Sequence, residues 1–236
     1  MRSRVMSLTK DLVERCWRAE IDEGRNPALT PMTALEYAEL RKRLILESEP
    51  DPLWIFAYGS LIWKPIFVPV EHRRATAHGW HRSFCLELQN WRGTRAQPGL
   101  MMALDTGGSC NGLVYRVPEA DRTMAIHELV DREIAYREDT LSVRWLRVDT
   151  KEGAVRALVF YAAPRGVGVV RRLPLQQVAW TLARACGHAG SGAEYLFHTV
   201  SKLEENGIHD RNLWQLQGLV ATEIANIYPV AMRKED

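Results

Sequence analysis

The chain has 236 residues, with 31 lysines and arginines against 29 aspartates and glutamates, so its formal net charge is +2. This near balance, without any block of basic residues, predicts no nucleic-acid partner. No apolar stretch is long enough to span a bilayer and no signal-peptide pattern is present, so we expect a cytoplasmic protein that does not associate with membranes.

Residues 1–52 are predicted to form an N-terminal helical arm. Its first helix rests on residues at helical spacing: Leu12, Val13, Cys16 and Trp17. A second helix is predicted to begin with Thr30 as its N-cap and Pro31 as its first residue, and to end before the Glu49-Pro50-Asp51-Pro52 segment. We assign no chemistry to this arm, which is expected to pack on the following domain or on a partner subunit.

Residues 53–229 are predicted to form one domain that begins with many strands. The predicted strands lie near 54–58, 74–80, 82–88, 100–105, 110–117, 141–149 and 154–161. One helix at about 119–134 interrupts them. Gly107-Gly108 is predicted to be a hairpin turn, and the segment 149–153 a second hairpin loop.

The last third of the chain is predicted to be helical. Pro174 begins a helix that is expected to end at Cys186-Gly187, where glycine suits the position after a helix. Two further helices are predicted at about 193–206 and 210–227, followed by a tail at 230–236. The pattern indicates an α+β protein with a curved mixed sheet or small β-barrel and flanking helices.

The segment Tyr58–Ile62 directly follows the apolar run that predicts the first strand. Glycine at position 59 lets the backbone approach a ligand closely, and successive N–H groups in a turn can bind a carboxylate or an oxyanion. An ordinary strand-ending turn is the alternative interpretation. Ser60 does not lie in a Gly-x-Ser-x-Gly motif, so we interpret it as a binding residue and not as an acyl nucleophile.

Glu133 is the strongest candidate for acid–base chemistry. It lies within an apolar helical stripe formed by Ile126, Leu129, Val130 and Ile134. A carboxyl group in such surroundings must be paired or must have a raised pKa, and a raised pKa lets it exchange protons near neutral pH. The alternative is a glutamate at the end of the helix that pairs with Arg132 or Arg137.

The histidines and cysteines do not predict a metal site. His78 and His81 are three residues apart in a predicted strand, which points their rings to opposite faces. We interpret them as solvated or capped side chains. The four cysteines lie far apart in the sequence and predict neither a disulfide framework nor a thiolate cluster.

Several short motifs between residues 54 and 205 together resemble the ChaC-type γ-glutamylcyclotransferases. In chain order they are Tyr58-Gly59-Ser60-Leu61, Trp63-Lys64-Pro65, Phe84-Cys85, Arg92-Gly93-Thr94, Gln97-Pro98-Gly99, Gly107-Gly108-Ser109-Cys110, Gly112-Leu113-Val114-Tyr115-Arg116-Val117-Pro118, Arg132-Glu133 and Gly190-Ser191-Gly192-Ala193-Glu194-Tyr195-Leu196-Phe197. The segments Gln89-Asn90-Trp91 and Ile134–Arg137 depart from the family pattern. These departures concern the fit of the leaving peptide.

The resemblance implies the γ-glutamylcyclotransferase-like fold and the cleavage of glutathione to 5-oxoproline and cysteinylglycine. It implies Glu133 as the catalytic acid and base, and Tyr58, Gly59, Ser60, Leu61 and Ile62 as the loop that binds the γ-glutamyl group. Neither a cofactor nor a metal is implied, and the expected partner is a small-molecule substrate. Activity on other γ-glutamyl amides or peptides, or a non-catalytic binding or regulatory role, are the alternatives.

Two further residues are substrate-binding candidates. The resemblance implies that the Tyr195 hydroxyl meets the substrate or Glu133, whereas ordinary aromatic packing is an equally good interpretation. Arg92 can form a bidentate contact with a carboxylate of the peptide. Its alternative role is that of a solvated arginine in a turn.

Overall fold

The computed structural model describes residues 4–164, 166 and 168–229 of the chain, so the predicted tail 230–236 lies outside the described residues. The helices are α1 Lys10–Arg15, α2 Ala34–Ser48, α3 Arg122–Glu133, α4 Leu175–Arg184, α5 Gly192–Glu205 and α6 Arg211–Ile227. The strands are β1 Trp54–Ala57, β2 Glu71–Leu88, β3 Gly99–Arg116, β4 Val143–Thr150, β5 Gly153–Phe160, β6 Cys186–Gly187 and β7 Gly190–Ser191.

Strands β1 to β5 form a closed barrel in the order β1-β3-β2-β4-β5. Strand β1 pairs antiparallel with β3, where Trp54 lies opposite Arg116, and parallel with β5, where Trp54 lies opposite Ala157. Strands β4 and β5 form an antiparallel hairpin in which Thr150 faces Gly153, so the hairpin predicted at 149–153 is confirmed. The closed mixed sheet with its helices confirms the predicted α+β class.

The barrel is filled by apolar side chains that face inward from its five strands. They are Trp54, Phe56, Ala75, Ala77, Leu104, Cys110, Val114, Leu146, Val148, Ala157 and Val159. Full burial of each large member stabilises the folded state by about 1.5–3 kcal/mol. This packing fixes the strand register, because a shift of one residue would turn the same side chains outward.

Two long strands replace four shorter predicted ones. Strands β2 and β3 have 18 residues each, and they contain the glycines Gly79, Gly107 and Gly108 at φ values of 81°, 108° and 72°. Because glycine tolerates positive φ, these strands bend without ending. The hairpin turn predicted at Gly107-Gly108 is therefore wrong.

The chain divides into two compact units. We call residues 26–85 with the described part of 102–169 the barrel unit, and the described parts of 4–25, 86–101 and 170–229 the helical unit. In the helical unit, α4 packs on α5 and α6, and α1 also packs on α5 and α6. The predicted boundary between an arm and a domain after residue 52 stays a prediction.

Helix α2 begins three residues later than predicted. Thr33 is its N-cap, and a capping box joins Thr33 to Glu36, whose carboxylate accepts the Thr33 backbone N–H at 2.8 Å. This reciprocal pair satisfies two amides that a helix start otherwise leaves without partners. Pro31 lies instead in an isolated β-bridge with Tyr136, so the predicted start at Thr30-Pro31 is wrong.

The glycine after helix α4 has a different role from the predicted one. The helix ends at Arg184, and Gly187 belongs to strand β6. A Cβ atom on Gly187 would collide with the backbone carbonyl oxygen of Trp91. Glycine is therefore needed at this position for the close approach of two backbone segments within the helical unit.

We expect Gly112→Ala to destabilise the barrel. A Cβ atom at this position would lie 2.5 Å from the Ala57 carbonyl oxygen and 2.8 Å from the Phe56 ring. Overpacking of this kind costs about 1–3 kcal/mol, which should lower the midpoint of thermal unfolding. The control is Gly218→Ala on α6, where a Cβ atom meets nothing within 4 Å and helix propensity should add up to about 1 kcal/mol of stability. Equal midpoints for the two variants would contradict this packing.

Candidate functional site

The chain leaves strand β1 through a tight turn. Ser60–Ile62 form one turn of 3₁₀-helix, in which the Ile62 amide donates to the Gly59 carbonyl at 2.9 Å. Among the residues that the structure describes, the amide N–H groups of Gly59, Ser60 and Leu61 have no hydrogen-bond acceptor. These three donors, and not the Ile62 amide, are the ones available to an anionic ligand.

Tyr58 is fixed in place by two hydrogen bonds. Its carbonyl oxygen accepts from Nε of the buried Arg82 at 2.6 Å, and its hydroxyl donates to the Phe160 carbonyl at 2.8 Å. Arg82 also donates through Nη2 to the carbonyl of Asn111. The start of the turn is therefore held from strand β2 by a residue that the sequence analysis did not identify.

Glu133 is the last residue of helix α3, and Arg132 connects that helix end to the turn. The Arg132 guanidinium donates to Ser60 Oγ at 2.7 Å and to the Lys64 carbonyl at 2.6 Å. Its Nε lies 3.2 Å from Glu133 Oε1. The structure thus brings the predicted acid–base residue and the predicted binding turn together within the barrel unit.

The surroundings of Glu133 raise the pKa of its carboxyl group. Desolvation disfavours the charged form and raises the pKa, whereas the neighbouring Arg132 guanidinium lowers it, and desolvation is the larger effect. The side chain remains 28% exposed, so protons can reach it. Pairing with Arg132 also fits the alternative of a structural ion pair, while Arg137 pairs with Glu36.

The segment after Glu133 is fixed by local hydrogen bonds. The Asp139 carboxylate accepts from the amides of Ala135 and Tyr136 at 3.0 and 2.9 Å, and the Tyr37 hydroxyl of α2 donates to the Ile134 carbonyl at 2.8 Å. These contacts hold the C-terminal end of α3. The sequence carries no signal for them beyond the short spacing between Asp139 and the helix end.

Arg92 and Tyr195 lie together in the helical unit. Arg92 Nη1 donates to Glu194 Oε2 at 2.7 Å and to the Ser191 carbonyl at 2.8 Å, and its guanidinium carbon lies 5.6 Å from the centroid of the Tyr195 ring. The Arg92 side chain is only 12% exposed, so it is not a solvated turn residue. Tyr195 is 4% exposed and packed, and the substrate-binding roles of both residues stay predictions.

The two histidines have polar neighbours in the barrel unit. His78 Nε2 lies 3.4 Å from Asp149 Oδ2, and His81 Nδ1 lies 3.1 Å from the Gly107 carbonyl oxygen. In the part of the chain that the structure describes, no group of three or more His, Cys, Asp or Glu side chains could hold a metal ion. No helix of the described ranges is both long enough and apolar enough to cross a bilayer.

Comparison with known proteins gives consistent matches. Residues 53–223 match the model of a family described as ChaC-like protein. A protein of Escherichia coli (strain K12) named glutathione-specific γ-glutamylcyclotransferase is 36% identical over 193 residues, which cover 81% of this chain and 83% of that protein. Glutathione-specific γ-glutamylcyclotransferase 1 of Rattus norvegicus is 31% identical over 178 residues, which cover 74% of this chain and 80% of that protein.

The fold also matches a solved structure. A crystal structure of a yeast γ-glutamyl cyclotransferase specific to glutathione superposes with a TM-score of 0.65 at 20% sequence identity, covering 74% of this chain and 97% of that chain. This similarity confirms the predicted fold.

The raised pKa of Glu133 predicts how Glu133→Gln changes stability with pH. As pH rises above the ordinary glutamate pKa of 4.5, the unfolded chain loses this proton while the folded chain keeps it. The unsubstituted protein therefore loses stability over that range until pH passes the folded-state pKa. We therefore expect the thermal unfolding midpoint of Glu133→Gln, minus that of the unsubstituted protein, to increase as pH rises through this range. Calorimetry at a series of pH values measures this difference. A difference that moves in the opposite direction would mean a lowered pKa.

Proposed function

The chain belongs to the ChaC-like family, and from this premise we propose that it is a glutathione-specific γ-glutamylcyclotransferase. It is an enzyme that cleaves glutathione to 5-oxoproline and cysteinylglycine. The observation that carries the proposal is the 36% identity to the Escherichia coli protein of that name across 81% of this chain. The proximity of Glu133 to the Ser60–Ile62 turn supports it.

The reaction uses a nucleophile that belongs to the substrate. The α-amino nitrogen of the γ-glutamyl group attacks its own γ-carbonyl carbon, a five-membered ring closes, and the bond from that carbon to the cysteine nitrogen breaks. When the enzyme holds the γ-glutamyl group in a folded conformation, the entropic cost of bringing the nitrogen to the carbonyl carbon is met on binding, and the activation barrier falls. The enzyme must therefore supply shape, charge stabilisation and proton transfer.

Glu133 carries out the proton transfers in this proposal. Its carboxylate accepts a proton from the α-ammonium group, which makes the nitrogen nucleophilic, and the resulting carboxyl group gives a proton to the leaving cysteine nitrogen. One group can do both because, in the tetrahedral intermediate, the attacking α-amino nitrogen and the leaving cysteine nitrogen are bonded to the same carbon. The raised pKa of Glu133 supports this role, since it brings the carboxyl group closer to neutral pH.

The turn after β1 supplies hydrogen-bond donors for negative charge. The substrate has an α-carboxylate, and its γ-carbonyl oxygen becomes an oxyanion in the tetrahedral intermediate. Donors fixed in advance stabilise such charge without reorganisation. The support for this role is that the amides of Gly59, Ser60 and Leu61 have no acceptor among the described residues. Tyr58 and Ile62 contribute by fixing the ends of the turn.

Arg92 and Tyr195 are proposed to contact the substrate on the basis of the family resemblance. The cytoplasmic location and the absence of a nucleic-acid partner are likewise proposals from the sequence. Cyclisation of other γ-glutamyl amides or peptides, and a binding or regulatory role without catalysis, are outcomes that the following experiments separate from glutathione cleavage.

We expect Glu133→Gln to lower the turnover of glutathione by roughly two to four orders of magnitude, because glutamine keeps the shape of the side chain but cannot transfer the proton. Release of 5-oxoproline is measured with purified protein, without added metal or nucleotide. Glu128→Gln, an exposed position on the same helix, is the matched control and should keep normal turnover.

Near-normal turnover of a folded Glu133→Gln protein would refute the catalytic role. If the unsubstituted protein released no 5-oxoproline from glutathione but did so from other γ-glutamyl amides, the substrate assignment would be wrong. If it released none from any of them, the role would be non-catalytic.

A second experiment tests the contribution of Arg92 to substrate choice. If Arg92 pairs with the far carboxylate of glutathione, Arg92→Ala should lower kcat/KM for glutathione and spare γ-glutamylalanine, which lacks that end. One charge-assisted contact is worth about 1.5–3 kcal/mol, or roughly ten- to a hundredfold. Arg95→Ala, a half-exposed neighbour, is the control and should leave both substrates unaffected.

The contacts of Arg92 with Ser191 and Glu194 supply the competing explanation. If Arg92 only supports the helical unit, Arg92→Ala should lower the unfolding midpoint and reduce activity on both substrates equally. That outcome would remove Arg92 from the substrate-binding set.

A further inference from the structure

The Arg132 side chain connects the segment after strand β1 with the end of helix α3. It contacts the Ser60 hydroxyl at 2.7 Å, the Lys64 carbonyl at 2.6 Å and the Glu133 carboxylate at 3.2 Å. Its side chain is 22% exposed, and the hydrogen bond to Ser60 is partly shielded from water. A guanidinium group is planar and its donors have fixed directions, so it holds all three partners in one geometry.

The direction of the hydrogen bond to Ser60 has a chemical consequence. Arginine only donates, so the Ser60 hydroxyl is the acceptor in this contact. The hydroxyl hydrogen of Ser60 is then left to donate to another group. Without the guanidinium, the hydroxyl can rotate, and the lone pair that Arg132 occupies can accept another hydrogen bond, including one from the substrate ammonium group.

We propose that Arg132 is a positioning residue for the cyclotransferase reaction. It orients the Ser60 hydroxyl as a donor to the substrate, and it holds the Glu133 carboxyl group beside the turn that binds the γ-glutamyl group. The inference rests on the proposed function, because it assigns Arg132 to the same site.

The other charged groups around the end of α3 have partners of their own, which leaves Arg132 to act on the Glu133 carboxyl group. On the adjoining helix α2, the Arg41 guanidinium is paired with Asp131, and Glu36 is paired with Arg137. After α3, the Asp139 carboxylate accepts backbone amides, and Lys64 contacts Arg132 through its carbonyl oxygen. Among the described residues, Arg132 is the one whose charge acts on the pKa of Glu133, which it lowers.

The test compares Arg132→Gln with Arg132→Lys. Glutamine removes the charge and the fork of donors, whereas lysine keeps the charge but cannot reproduce the planar fork. Arg137→Gln is the matched control, because Arg137 lies in the segment after α3 and pairs with Glu36 on the surface. For each protein, kcat and KM are measured as functions of pH. In parallel, the Glu133 carboxyl group is titrated by NMR with ¹³C-labelled glutamate and assigned with Glu133→Gln.

We expect both Arg132 variants to lose about ten- to a hundredfold in kcat/KM for glutathione, because small displacements of catalytic groups are costly. In Arg132→Gln the loss of positive charge should raise the pKa of Glu133, so the acidic limb of the kcat/KM profile and the NMR titration should both move to higher pH. In Arg132→Lys both should stay near their original pH while turnover remains low. Arg137→Gln should match the unsubstituted protein.

An Arg132→Gln protein with an unchanged acidic limb and an unchanged Glu133 titration would overturn the inference. An Arg132→Lys protein with full activity would also overturn it, because charge alone would then suffice. The NMR titration does not depend on turnover. If the unsubstituted protein released no 5-oxoproline, the proposed function would fail while the link between Arg132 and Glu133 was still measured.

Discussion

Strand β1 is the constraint on which the geometry of the candidate site depends. All residues of Trp54–Ala57 are buried, and the strand is paired with β3 on one side and with β5 on the other. A strand held in this way cannot change register without disturbing both neighbours and the barrel interior. Because Tyr58 follows directly, the turn that contains Ser60 leaves the barrel at one position and in one direction.

Two arginines complete the placement of that turn from opposite ends. Arg82 holds the Tyr58 carbonyl from inside strand β2, and Arg132 holds Ser60 and Lys64 from the end of helix α3. Hydrogen bonds from charged donors are stronger than those between neutral groups, so the turn keeps its shape without a ligand. In the proposed reaction its amide donors are therefore already in place when negative charge develops, which is the condition for effective electrostatic stabilisation.

The sequence predicts those parts of the protein that depend on local patterns. The apolar run of β1 and the helical stripe around Glu133 were enough to place both elements. The positions that local patterns miss depend on long-range contacts. In β2 the buried positions are 75 and 77 before Gly79 and 82, 84 and 85 beyond it, so the bend at positive φ breaks the alternation and Arg82 turns inward. Likewise, the bond between Arg132 and Ser60 joins residues 72 positions apart, and no local pattern encodes it.

The position of Glu133 combines opposing electrostatic effects. As the last residue of α3, its carboxylate lies near the negative end of the helix dipole, which disfavours a second negative charge. Desolvation acts in the same direction, and the Arg132 guanidinium opposes both effects. In the proposed reaction, a carboxyl group with burial alone would stay protonated and could not act as a base, and one in a fully exposed ion pair would be too weak a base to take a proton from the substrate ammonium group. A residue chosen only for stability at this helix end would be a lysine, an arginine or an apolar side chain. The fold instead keeps a carboxyl group where its charge is costly, and such local conflicts between sequence and stability are typical of functional sites.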